Sequence, residues 1–113
     1  MDKVLLIFPK TGLDKYAQLP LGLLSIASTL VDDYEVEIID QRIDEKWAEK
    51  VELKSRDSIC VGVTSMTGVQ IANAIEISKI AKKHTKLIWG GVHPTLLPHQ
   101  TLQNNYLQSP LFR

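Results

Sequence analysis

Short apolar runs alternate with helical patterns along this chain. Residues 4–8 form an unbroken apolar run that stops at Pro9, as a strand buried on both faces of a parallel sheet would. Pro20 suits a first helical turn, and apolar residues then recur at helical spacing over residues 23–31. The chain therefore begins with a predicted strand, a polar loop and a helix.

The same alternation continues to residue 89. Residues 35–39 alternate and then become apolar, which is typical of a strand near a sheet edge. Residues 58–64 are a predicted buried strand, and residues 86–89 are the predicted fourth strand. A weak helical pattern spans residues 44–53 and a stronger one residues 68–83. This order predicts an α/β fold with right-handed crossovers and a flavodoxin-like (Rossmann-like) parallel sheet in strand order 2-1-3-4.

A fifth strand would normally complete such a sheet, but the tail is a poor candidate for it. Residues 96–104 suit a short helix, and residues 105–110 are brief, polar and end at a proline. We therefore expect one α/β domain over residues 1–104, an irregular tail over residues 105–113, and a fifth strand that is missing or truncated.

Composition narrows the range of partners. Thirteen basic and thirteen acidic side chains cancel, so no long-range field favours nucleic acid or an anionic membrane. Cys60 is the one cysteine and lies in an apolar run, which predicts a small buried strand residue and not a reactive thiol. The first apolar run is too short for a signal peptide or a membrane span, and we expect a cytoplasmic protein.

Candidate chemistry lies in the loops that follow the strands, because ligands of open parallel sheets bind beyond the carboxyl ends of the strands. The loop after the fourth strand is the most informative, since paired glycines allow close approach of a ligand to the backbone. A plain turn would explain the glycines and the proline of this loop but does not require His93 and Thr95. We interpret it as a binding loop, which consists of Gly90, Gly91, Val92, His93, Pro94 and Thr95.

The loop after the third strand carries two hydroxyl groups. Ser65 and Thr67 precede Gly68, and their hydroxyls either cap the next helix or face a bound ligand. His93, in the neighbouring loop, is a general base, a metal ligand or a histidine bonded to backbone. No spacing typical of a zinc or other structural metal site is present, so no metal ligand is assigned.

Signatures of other nucleotide-binding classes are absent. Asp40 follows the second strand, where dinucleotide folds place an acidic residue on the ribose, but no G-x-G-x-x-G follows the first strand. The chain also lacks a P-loop and the acidic cluster of a receiver domain. These absences disfavour three functions, which are nicotinamide binding, nucleotide hydrolysis and the phosphate acceptance of a receiver domain.

Five segments in a fixed order carry a family resemblance. They are residues 4–9, 19–27, 38–40, 61–67 and 90–95, with the sequences VLLIFP, LPLGLLSIA, IID, VGVTSMT and GGVHPT. Together they resemble the N-terminal cobalamin-binding domain of cobalamin-dependent radical SAM enzymes, over roughly residues 3–103.

The resemblance implies a domain that holds the corrin of cobalamin over the strand ends and takes the nucleotide tail into a slot beside the sheet. Ser65, Thr67, Gly90 and Gly91 would line that slot. The same family segments imply that the other cofactor contacts come from Gly68, Val92, His93 and Thr95. In the complete enzymes, the cobalamin commonly relays a methyl group from S-adenosylmethionine.

Two departures from related enzymes limit what this chain does. The Asp-x-His-x-x-Gly motif of classical cobalamin enzymes is absent from residues 9–13, so no histidine of this loop is expected beneath cobalt. The Cys-x-x-x-Cys-x-x-Cys motif of radical SAM enzymes is also absent from a chain with one cysteine. The iron-sulfur cluster and S-adenosylmethionine would belong to a radical SAM domain, in cis or in trans, and no catalytic residue is assigned here.

Two alternatives use the same fold differently. The first is a non-binding scaffold whose exposed fourth strand pairs with another chain. The second is a flavin-binding domain, for which residues 10–12 are a faint version of a phosphate loop.

Overall fold

The structure, a computed structural model, describes residues 1–11, 20–64, 69–90 and 109–110. Strands and helices alternate within these segments, as the hydrophobic pattern predicts. The strands are β1 (Lys3–Phe8), β2 (Glu35–Asp40), β3 (Ser58–Thr64), β4 (Lys86–Gly90) and β5 (Ser109–Pro110). The helices are α1 (Leu21–Leu30), α2 (Trp47–Asp57) and α3 (Val69–Ala81).

The strands form one parallel sheet in the order β2-β1-β3-β4-β5. The predicted α/β class and the core order 2-1-3-4 are therefore confirmed. The register places Phe8 beside Asp40 and Thr64 beside Gly90, so four strands end at one edge of the sheet. That edge is where a ligand of a parallel sheet is expected.

The described residues include a fifth strand. Ser109 and Pro110 pair with Ile88 and Trp89 of β4. Residues 105–110 were expected to be a poor candidate even for an edge strand, and this expectation is wrong for Ser109 and Pro110. The sheet tolerates Pro110 because β5 is its outer strand. The rest of the predicted tail, 105–113, and the short helix predicted over 96–104 lie outside the described residues.

Helix α2 begins and ends later than the pattern predicts. Asp44 Oδ1 accepts a hydrogen bond from Lys46 N at 3.0 Å, which fixes a turn where the helix was predicted to begin. The helix then starts at Trp47 and continues to Asp57, because Ser55 extends the buried face that Val51 begins. The apolar pattern does not predict this last turn because the residue at its core position is a serine.

The sheet divides the core into two layers. Leu5 and Ile7 of β1 face one layer, and Val4 and Leu6 face the other. The first layer is covered by α2 and α3, and its largest fully buried side chain is Trp89. The second layer is covered, among the described helices, by α1 through Leu23 and Ala27. No helix in the described segments is long and apolar enough to cross a membrane.

Candidate functional site

A groove of about 320 Å³ lies between helix α1 and the face of the sheet that α1 covers. We call it the α1 groove. It runs along β3 and β4 from Gly62 and Ile88 to Thr64 and Gly90, and so reaches the carboxyl edge of the sheet. Its lining consists of Leu6, Gly22, Leu23, Ser25, Ile26, Gly62, Val63, Thr64, Ile88 and Gly90.

Glycines on both walls keep the α1 groove open. A β-carbon built on Gly22 of α1 would meet no atom within 4 Å, so a side chain there would extend into free space. A β-carbon on Gly62 of β3 would lie 2.9 Å from Leu6 Cδ2, which is closer than real β-carbons approach. Gly22 therefore leaves open space on the helix wall, and Gly62 leaves the space that Leu6 fills on the sheet wall.

The lining is mostly apolar and carries two hydroxyl groups. Leu6, Ile26 and Ile88 supply hydrocarbon surface, while Ser25 and Thr64 supply the hydroxyls. Within the part of the chain that the structure describes, neither side chain has a hydrogen-bond partner. Such a surface suits a flat, largely apolar group that carries a few polar atoms.

One predicted site residue lies in the described part of this groove. Gly90 ends β4, lines the groove and pairs in register with Thr64 at the end of β3. The ends of β3 and β4, which lead into the two predicted binding loops, therefore lie side by side. The other predicted site residues lie outside the described residues, and they are Ser65, Thr67, Gly68, Gly91, Val92, His93 and Thr95.

Sequence reasoning assigned no site role to several groove residues. Gly22, Ser25 and Ile26 lie at helical spacing on one side of α1, and Gly62 interrupts an apolar strand. The available signals were small residues within an apolar helix and a glycine within a strand, which often marks close approach of another group. Both segments carried the family resemblance, but no role was assigned to these positions.

Three amide side chains hold the exit of β1. Gln41 Oε1 accepts a hydrogen bond from Lys10 N at 2.8 Å, and Gln70 Nε2 donates one to the Pro9 carbonyl at 3.1 Å. Asn73 Nδ2 donates to the Lys10 carbonyl at 3.0 Å. The start of the loop after β1 is thereby tied both to β2 and to α3.

The acidic residue at the end of β2 has a structural role. Asp40 accepts hydrogen bonds from Arg42 Nε at 2.9 Å and Arg42 Nη2 at 2.8 Å, in a pair whose side chains are 10% and 8% exposed. The guanidinium also stacks 4.1 Å from the Phe8 ring centroid. Asp40 is thus engaged within its own turn, which leaves the ribose-binding interpretation without support.

The described cysteine and histidine also have local roles. Cys60 is half-buried in the α1 layer, and burial raises the pKa of its thiol, with Lys86 opposing that shift. This agrees with the predicted unreactive strand cysteine, although its burial is only partial. His84 Nε2 lies 2.9 Å from Glu52 Oε1 and links the turn after α3 to α2. Among the described residues, no group of three or more His, Cys, Asp or Glu side chains is arranged to hold a metal ion.

Comparison with known families gives this groove a context. Residues 14–108 match the family described as the B12 binding domain, which is most of the chain. The chain belongs to the B12-binding domain family. Apart from Leu6, the residues that line the groove, from Gly22 to Gly90, fall within the matched range of this B12-binding domain.

A solved structure with a similar fold comes from a larger protein. It is the radical S-adenosylmethionine methyltransferase TsrM from Kitasatospora setae, with cobalamin and a 4Fe-4S cluster bound. The TM-score is 0.73 at 23% identity, and the match covers 91% of this chain and 21% of the TsrM chain. At this identity the likeness shows a shared fold. No curated protein matches this chain.

Proposed function

We propose that this B12-binding domain holds cobalamin, with the nucleotide tail in the α1 groove and the corrin over the carboxyl ends of the strands. The observation that carries the proposal is the groove itself, which has glycine on both walls and reaches the carboxyl edge at Thr64 and Gly90. The family match supports cobalamin as the ligand, and the groove supports this placement of the tail.

The size and chemistry of the groove fit part of the cofactor. A volume of about 320 Å³ is at the lower end of small-molecule sites, which span roughly 300–1,000 Å³. It suits a flat base with its sugar, whereas the much larger corrin would remain outside, over the strand ends. Leu6, Ile26 and Ile88 would cover the faces of the base, and the hydroxyls of Ser25 and Thr64 would be available to its polar atoms.

The remaining contacts are proposed from the sequence resemblance. The loops that follow β3 and β4 would continue the slot beyond Thr64 and Gly90, because both strands end at its mouth. The residues proposed to contact the cofactor there are Ser65, Thr67, Gly68, Gly91, Val92, His93 and Thr95.

The parent protein is proposed to be a cobalamin-dependent radical SAM enzyme of the methyltransferase type. Support comes from the sequence resemblance and from the fold shared with TsrM, of which this chain spans 21%. In such an enzyme, bound cobalamin supplies methyl-group or radical chemistry. The role of the residues in this chain is to bind and orient the cofactor, while an iron-sulfur cluster and S-adenosylmethionine would be held by a radical SAM domain in cis or in trans.

The fold weakens the alternative in which the protein is a non-binding scaffold. It requires β4 to offer a free edge to another chain. Ser109 and Pro110 already pair with Ile88 and Trp89 along that edge.

Retention of the cofactor by the purified protein tests the proposal. The chain is mixed with excess hydroxocobalamin and desalted, and corrin absorbance is compared with protein concentration. We expect about one corrin per chain. Loss of all corrin absorbance on desalting, from a protein that circular dichroism shows to be folded, would overturn the proposal.

A further inference from the structure

Two buried glutamines meet at the exit of β1. Gln41 is 3% exposed and directly follows β2, and Gln70 is 2% exposed and lies at the start of α3. Burying an amide side chain is unfavourable unless it is hydrogen-bonded. Both side chains form such bonds to the same short stretch of backbone, Pro9 and Lys10.

These bonds replace the regular partners that the backbone loses when β1 ends. Phe8 O still accepts from Gln41 N at 2.9 Å, which continues the β1–β2 ladder by one step. Beyond it, Lys10 N bonds to the Gln41 side chain, and the carbonyls of Pro9 and Lys10 bond to Gln70 and Asn73. The exit of β1 is therefore fixed by side chains from two other elements.

Gln70 connects the chain after β3 to the chain after β1. Helix α3 starts at Val69, directly after residues 65–68, where the resemblance predicts cofactor contacts. Gln70, in the first turn of α3, bonds to the loop that leaves β1. Both loops leave the carboxyl edge of the sheet, over which the corrin is proposed to lie.

We propose that Gln70 and Gln41 are positioning residues that fix the β1 exit before the cofactor arrives, so that the site binds the corrin without having to order this backbone. The inference rests on the proposed function. It adds that affinity depends on amide side chains that do not line the α1 groove, which are the two buried glutamines and, to a smaller extent, Asn73. A site that is already ordered binds more tightly because less conformational entropy is lost on binding.

Replacement of Gln70 tests this role. Gln70→Met keeps the length of the side chain and removes the donor to Pro9, and we expect hydroxocobalamin affinity to fall by roughly tenfold. Gln70→Glu restores a donor only when its carboxyl group is protonated. Position 70 is buried, and burial raises the pKa of a carboxyl group above its ordinary value. The affinity of Gln70→Glu relative to the unaltered protein should therefore recover as the pH is lowered from about 8 to about 5, whereas the ratio for Gln70→Met should stay constant.

Controls separate positioning from general stability. Ile77→Val removes a buried methylene from the same helix, two turns from Gln70, and should lower the melting temperature without changing cobalamin affinity. Asn73→Ala removes a bond at a more exposed position, where folding is less at risk, and should weaken binding by roughly threefold.

The outcomes are distinct. Affinity of a folded Gln70→Met within about twofold of the unaltered protein, equal weakening in Ile77→Val, or a pH-independent ratio for Gln70→Glu would each overturn the positioning role while leaving the proposed function intact. If Gln70→Met fails to fold, unchanged affinity in Asn73→Ala overturns it instead. If the unaltered protein does not bind hydroxocobalamin at all, the proposed function fails and this inference fails with it.

Discussion

Leu6 of β1 and Gly62 of β3 are paired in register, and a β-carbon on Gly62 would lie 2.9 Å from Leu6 Cδ2. Leu6 belongs to the core layer beneath α1, and it also lines the α1 groove. The missing side chain at Gly62 therefore lets Leu6 pack closely against the central strand. This contact helps to set the depth of the groove floor.

Two substitutions of Gly62 should differ in their effect on stability, because one adds a single methyl group and the other adds a branched side chain. Gly62→Ala requires a slight shift of the flexible end of Leu6 and should change the free energy of unfolding by less than about 1 kcal/mol. Gly62→Val adds branches that such a shift does not accommodate, and it should cost about 1–3 kcal/mol. Urea unfolding measures both values. Equal stability of the two variants would contradict the close Leu6 contact.

Filling the α1 groove from its helix wall should block the cofactor without harming the fold. Gly22→Phe places an aromatic ring where Gly22 has open space around it, and removal of a helical glycine is favourable by up to about 1 kcal/mol. We expect a melting temperature at least equal to that of the unaltered protein and at least roughly tenfold weaker hydroxocobalamin binding.

The matched control for Gly22→Phe is its neighbour on the same helix. Leu21 is 70% exposed and does not line the groove, so Leu21→Phe adds a similar ring outside it. Cobalamin affinity should be unchanged in that variant. Equal losses of affinity in the two variants would argue against the groove as the tail site.

The sheet was predictable from the sequence because each buried strand is a short apolar run with clear boundaries. The end of α2 was not, since Ser55 occupies a core position that a hydrophobic pattern does not recognise. Two residues of the tail pair with β4 despite their polar and proline character, because an outer strand tolerates both.

The site was predictable only in part. Gly90 was identified because paired glycines after a strand are a local signal. The contributions of Gly22 and Gly62 depend on α1 lying over β3, which is a tertiary relationship. Likewise, nothing in the local pattern shows that Gln41 and Gln70 meet at the β1 exit, because 29 positions in the numbering separate them.

Two buried serines should respond in opposite ways to the same substitution. Trp89 Nε1 donates to Ser78 Oγ at 2.9 Å, so Ser78→Ala removes a buried acceptor and should cost about 1–3 kcal/mol. Ser55 Oγ is buried and has no hydrogen-bond partner among the described residues. Ser55→Ala should therefore be neutral or stabilising by up to about 1 kcal/mol. Thermal or urea unfolding of the pair measures the difference, and a larger loss in Ser55→Ala would contradict this packing.

The stabilisation that the Glu52 carboxylate gives through Arg56 and His84 should be lost in acid. The hydrogen bond from Arg56 holds the pKa of Glu52 below its ordinary value of 4.5, desolvation opposes the shift, and His84 adds to it. A lowered folded-state pKa stabilises the protein above the unfolded value, and the stabilisation is lost as pH falls through the folded value.

Glu52→Gln should therefore have a lower melting temperature than the unaltered protein at about pH 7, and the difference should shrink below about pH 4. Glu49→Gln, at an exposed position of the same helix, is the control and should show a smaller difference. A difference in melting temperature between Glu52→Gln and the unaltered protein that grows as the pH falls would contradict the stabilising role of the Glu52 carboxylate.

The central claim is that the α1 groove takes the nucleotide tail of cobalamin. Parallel equilibrium titrations with hydroxocobalamin and with cobinamide, which has the corrin but lacks the nucleotide tail, test it most directly. We predict saturable binding of both ligands, with cobalamin bound at least roughly tenfold more tightly because only its tail fills the groove. Equal affinities for the two ligands would contradict the assignment of the groove.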